Sequence, residues 1–123
     1  MRSLIFVLVL FAVTVGCVIW IDVAIDEKVS EIITQCEKIE SARDTKEAEK
    51  AFDEVNKKWR SIRKALFAVL NHADIDVVDY AVEMLGAAIE TGDIEKIRLN
   101  ACSLSYYLDD MLDTETLSLS NIL

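Results

Sequence analysis

The sequence has no proline, three glycines and one histidine. Glycines 16, 86 and 92 stand apart from one another, and with so few breakers tight turns are scarce, so long helices joined by short connections are the natural outcome. The same scatter excludes a Gly-rich phosphate loop. A single histidine excludes the paired Glu-x-x-His ligands of a di-iron bundle and leaves only His72 for a nucleophile–histidine pairing. No constellation of acid, base and nucleophile is evident, so the expectation is a protein that is not an enzyme and needs no cofactor. Positive charge is also short. There are 13 Lys and Arg against 22 Asp and Glu, a net charge of −9. Phosphate binding needs net positive charge, so nucleic acid is not an expected partner.

What is present begins with an apolar run. Residues 4–21 carry no charge, and a helix of that length spans roughly 27 Å, enough for a bilayer core. Arg2 precedes the run, while Asp22, Asp26 and Glu27 follow it. The positive flank stays inside by the usual bias, which places the C-terminal part outside the cytoplasm. Trp20 sits where an interfacial aromatic anchor belongs. A cleaved signal peptide would have a shorter apolar region and a small-x-small site. Thr14-Val15-Gly16 before Cys17 is a partial match to such a site and to a lipoprotein box. Cleavage there would leave Val18, Ile19, Trp20 and Ile21 as an apolar stub, so an uncleaved signal-anchor is expected, with lipidation at Cys17 as the alternative.

After Asp22 the apolar residues recur in steps of four and three. Ile25, Val29, Ile32, Cys36 and Ile39 form a coiled-coil-like seam, and nothing interrupts the helix between it and the membrane run. This helix should continue to about Ala42. Asp44, with Glu47 three positions later, has the pattern of a capping box. The second helix carries Ala48, Phe52, Val55, Trp59, Ile62, Leu66 and Val69. Asn71-His72-Ala73 reads as its connection to a third helix, capped by Asp74 and Asp76, with Val78, Val82, Leu85 and Ile89 on its seam. Ala81, Met84 and Ala88 thicken that stripe. Gly92 suits the left-handed position after a helix. Asp93 caps a fourth helix bearing Ile94, Ile97, Ala101, Leu104, Leu108 and Met111. The expected fold is all-α: an N-terminal transmembrane helix continuing into a small antiparallel bundle of about four helices. The division is residues 1–3 cytoplasmic, 4–21 spanning, 22–113 an extracytoplasmic bundle and 114–123 a tail without clear period. Four aliphatic residues in that tail suggest that it docks on its own bundle or on a partner, with a frayed terminus as the alternative.

Charge is unevenly spread. Residues 43–64 hold eight basic and five acidic side chains, while residues 71–123 hold two and eleven. A basic helix packed beside an acidic one accounts for this. The alternative is a patch of Lys57, Lys58, Arg60, Arg63 and Lys64 that meets anionic lipid or an acidic partner. His72, Asp74, Asp76 and Asp79 are candidate ligands for a hard cation, but an EF-hand starting at Asp74 would need Gly at 79 and Glu at 85, where Asp79 and Leu85 stand. Helix capping is the favoured role for these acids. Cys36 and Cys102 could form a disulfide in an oxidising compartment if their Cα atoms come within ~7 Å. Trp59, mid-seam, should anchor the core rather than line a ligand groove.

The N-terminal anchor, Lys58-Trp59, Asn71-His72-Ala73-Asp74-Ile75-Asp76, Gly92-Asp93 and the closing Leu119-Ser120-Asn121-Ile122-Leu123 together resemble a bacterial family, domain of unknown function 4363. That resemblance implies a small single-pass membrane protein with an acidic helical region, and it implies no activity. The functional expectation is a structural or accessory subunit in the bacterial cell membrane that docks on another membrane protein or on itself. Contact candidates are the basic patch and the tail residues Leu119, Asn121, Ile122 and Leu123. The alternative is a sensor ectodomain binding a cation or small molecule. With about three residues inside the cell, it would have to act through a partner.

Overall fold

In the computed structural model, residues 1–122 are described, with side chains for residues 1–68 and 70–113. The chain forms four helices: α1 (Arg2–Glu40), α2 (Thr45–Val69), α3 (His72–Thr91) and α4 (Ile94–Ile122). The first is continuous from the apolar run into the bundle. α1 packs against α2 and α4, and α3 packs against the same two helices. Short connections make sequence neighbours antiparallel, so the four close into an up-down-up-down ring around one core.

The seams read from the sequence face inward, with the Val69 side chain outside the described residues. Ile25, Val29, Ile32, Cys36 and Ile39 of α1 are buried, as are Val55, Trp59, Ile62 and Leu66 of α2. Val78, Val82, Leu85 and Ile89 of α3 and Ile97, Ala101, Leu104, Leu108 and Met111 of α4 complete the core. Phe52 and Ile94 lie at its margin, half-buried. α3 and α2 approach closely at Gly86, where an added Cβ would stand 3.1 Å from Phe52 Cζ.

Helix ends follow from local hydrogen bonding. Glu47 N donates to Asp44 Oδ1 at 2.8 Å, and Arg43 N donates to Glu47 Oε2 at 3.1 Å. The reciprocal box therefore closes one residue before the cap. Gly92 ends α3 at φ 72°, a left-handed conformation that costs glycine nothing. Asp93 caps α4 through Glu95 N at 3.1 Å. The start of α3 differs from the sequence reading: Asn71 is the cap, accepting from Ala73 N at 3.0 Å, and His72 is already helical. An Asn side chain bonds backbone two residues on as readily as Asp does. Asp74 is thereby left in the first turn, where its charge favours the positive end of the helix dipole. α4 extends through Ile122, past the expected break at residue 114. No proline or glycine after Gly92 stops it. Docking of the tail side chains Leu119, Asn121, Ile122 and Leu123 lies outside the described residues.

The two connections at one end of the bundle are tied together. Arg98 Nη2 donates to Ala42 O at 2.9 Å, and Thr45 Oγ1 to Gly92 O at 3.4 Å. The apolar run projects from the opposite end. Its side chains are almost all exposed, and among the described residues it is the one segment long and apolar enough to cross a membrane.

Candidate functional site

The basic and acidic clusters meet at the α2–α3 interface. Asp79 Oδ1 accepts from Trp59 Nε1 at 2.7 Å and from Arg63 Nε at 2.8 Å. Its Oδ2 accepts from Arg63 Nε at 2.9 Å and lies 2.7 Å from Arg63 Nη2. Burial pushes the Asp79 carboxyl up, but the hydrogen bonds from Arg63 and Trp59 and the charge of Arg63 outweigh it and hold its pKa below the ordinary value. The Arg63 guanidinium also lies 4.6 Å from the Phe67 ring centroid, and Phe67 meets His72 edge-on at 4.7 Å. An open groove of about 330 Å³ runs past this network, bordered by Asn56, Arg60 and Glu83.

This arrangement redistributes the sequence candidates. Arg63 is bound to Asp79, and Lys58 pairs with Glu31 of α1 at 3.3 Å. Lys57, Arg60 and Lys64 are exposed, at spacing that places them along the outer side of α2. A carboxylate holding both an indole and a guanidinium offers little to a cation, so Asp79 is structural. Among the described residues, no group of three or more His, Cys, Asp or Glu is placed to hold a metal ion, and His72, Asp74, Asp76 and Asp79 do not form one. The cysteines are free. Cys36 is buried in the α1 seam, whereas Cys102 is exposed on the flank of α4 beside Ile33 and Tyr106. Burial, together with the charges of Glu40 and Glu37, pushes the Cys36 thiol up to about 12.

A surface the sequence reading missed lies on α3. Met84, assigned to the inner stripe, is 42% exposed. It belongs instead to a second series on the outer face: Ala73, Val77, Tyr80, Met84 and Ala87, all exposed. The steps are four, three, four, three, the same spacing as the buried seams. The signal was in the sequence, in opposite phase to the inner stripe, and was absorbed into it because α3 is apolar on both sides. Asp76, Glu83 and Glu90 flank this outer seam on one side, all exposed. Asp74, half-buried, and Ala81 and Ala88, both buried in the core, flank it on the other.

No curated protein and no solved structure gave a significant match. One family model matches, described as "Domain of unknown function (DUF4363)", over residues 20–122. The match begins at Trp20, where the apolar run ends, and takes in the whole bundle. On that coverage, the chain belongs to the DUF4363 family.

Proposed function

We propose that this protein is a non-catalytic, single-pass scaffold of the cell membrane, N-terminus inside, whose bundle docks through the outer face of α3 onto a helix of a neighbouring membrane protein. The observation that carries the reading is the outer seam of Val77, Tyr80 and Met84. Isolated exposed apolar residues are common on any surface. A series at helix-packing spacing along a rigid helix is a recurrent mode of recognition, with anchors one and two turns apart.

Two copies of this chain meet the same geometric demand. Anchored copies stand in the same orientation, so their third helices would pair in parallel. In a parallel pair the acidic flank of one helix faces the other flank of its partner, where Asp74 is the one carboxylate and Ala81 and Ala88 are turned into the partner's own core, so Glu83 meets no like charge there. An antiparallel pair would set Glu83 against Glu83 and Asp76 against Glu90, which like-charge repulsion disfavours. A photo-crosslinking residue at Tyr80, compared with one at Lys50 on the exposed side of α2, tests the reading in native membranes. A discrete adduct from position 80 alone supports it, and the adduct's mass separates self-pairing from another protein. Crosslinking no more specific at 80 than at 50 would remove the assignment.

A further inference from the structure

An apolar run of 18 residues is only just long enough to span a bilayer, and the bundle stands beside part of it. A groove of about 280 Å³ at the base of the bundle is formed by the stretch of α1 from Trp20 to Lys28 with Ser61, Ile62 and Ala65 of α2. Ile62 is therefore level with about Ala24, midway along that stretch. From Ile62, α2 continues toward the membrane, and Leu70, its C-cap, lies eight residues further on. At 1.5 Å per residue that is about 12 Å, which brings the α2–α3 turn alongside residue 16 or so of α1.

The exposure of α1 agrees with this depth. Val15, Val18 and Asp22 continue the inward seam of Ile25 and Val29 in steps of three and four. Val15 is half-buried, and Val18 is 43% exposed where Val9 and Val13 are 56% and 58%. If the turn stayed outside the lipid, only residues 4–16 would remain to cross it. Thirteen residues reach roughly 20 Å against a hydrocarbon core of roughly 30 Å.

The turn itself is built for the alternative. Residues 65–73 read Ala-Leu-Phe-Ala-Val-Leu-Asn-His-Ala, with no carboxylate, lysine or arginine, between Lys64 and Asp74. Ala65, Ala68 and Ala73 are exposed, and Phe67 and Leu70 are partly so. Of its two polar side chains, Asn71 is spent on capping Ala73 N, and His72 rests against the Phe67 ring. Lys64, exposed, stands on the turn of α2 just before this segment, with Arg60 and Lys57 on successive turns beyond it, while Asp74 and Asp76 follow it at the start of α3.

We infer that the α2–α3 turn is a second membrane contact, dipping into the interfacial layer of the bilayer with Lys64 and Arg60 against anionic headgroups. This rests on the reading that residues 4–21 span the membrane. The bundle is thereby held at two points, which fixes its tilt and presents the outer face of α3 at a set height and direction.

Depth-dependent quenching in vesicles tests it. The full chain, with its three cysteines replaced, is reconstituted into phosphatidylethanolamine–phosphatidylglycerol vesicles containing lipids with a nitroxide high on the acyl chain. A single environment-sensitive fluorophore is placed through Ala68→Cys, Ala73→Cys, Ala12→Cys or Lys46→Cys, and retained helical dichroism confirms the fold of each. The span label at 12 should be quenched and the distal label at 46 should match the solvent value. Labels at 68 and 73 should be blue-shifted and quenched well above the label at 46. Quenching at 12 with solvent values at both 68 and 73 overturns the second contact and leaves the span intact. Solvent values at 12 as well would overturn both.

Discussion

Asp79 joins two features that the sequence keeps 16 and 20 residues apart, the guanidinium of Arg63 and the indole of Trp59. Trp59 is 2% exposed, so its ring packs the core while its N–H reaches a partner at the edge, as a buried indole requires. Trp59→Ala should cost about 3–5 kcal/mol, mostly from the vacated volume; thermal unfolding of the full chain in micelles would measure it, and an unchanged Tm would contradict the packing. The pH dependence has two opposing parts. Asp79 has a lowered folded pKa, so its contribution is complete above the unfolded carboxylate value, ~4, and is lost as pH falls through the folded value. Asp26 is displaced the other way, by burial and then by the charge of Asp22. Its folded form holds the proton more tightly than the unfolded form, so stability declines as pH rises from the ordinary carboxylate value through the raised one. Asp26→Asn should therefore match the parent in acid and exceed it at neutral pH, and Asp79→Asn should be weaker at neutral pH with the gap closing in acid. A pH-independent Tm difference for either variant would show that its charge is not responsible.

Among the helices, what was legible in the sequence was whatever periodicity and capping chemistry encode locally. Each inner seam was readable because an isolated helix must bury its apolar stripe, and the 4-3 spacing names the stripe without reference to neighbours. Asp44, Gly92 and Asp93 were readable because cap preferences act within four residues. Partner choice was not legible. That Arg63 belongs to Asp79 and Lys58 to Glu31 depends on which flanks of which helices face each other. Equally, only the packed bundle shows that α3 has a spare seam, since Met84 fits either stripe on paper. Gly92 gives an element-level prediction. Its φ of 72° is one that a side chain with a Cβ adopts at a cost of roughly 1–2 kcal/mol, and there is open space around it. Gly92→Ala should therefore lose about that much stability through the backbone alone, and Gly92→Asn should recover part of it, since Asn tolerates the left-handed region. Equal stability of the parent and the alanine variant in micelles would count against this conformation.

At the scale of the whole molecule, the distribution of thiols gives a test of topology that needs no added label site. Cys17 lies within the apolar run, Cys36 is fully buried with its thiol pushed up to about 12, and Cys102 is exposed on the bundle. The thiolate is the reactive form, so a buried thiol that ionises only in strong base is inert at neutral pH, and one in lipid is out of reach of a charged reagent. The proposed orientation sets Arg2 inside and the bundle outside. A membrane-impermeant maleimide applied to intact cells should then modify Cys102 alone, and Cys102→Ser should abolish the signal. Modification of Cys102 only after permeabilisation would invert the topology. The basic face of Lys57, Arg60 and Lys64 would then meet the cytoplasmic leaflet instead, and the outer seam of α3 would seek its partner inside the cell.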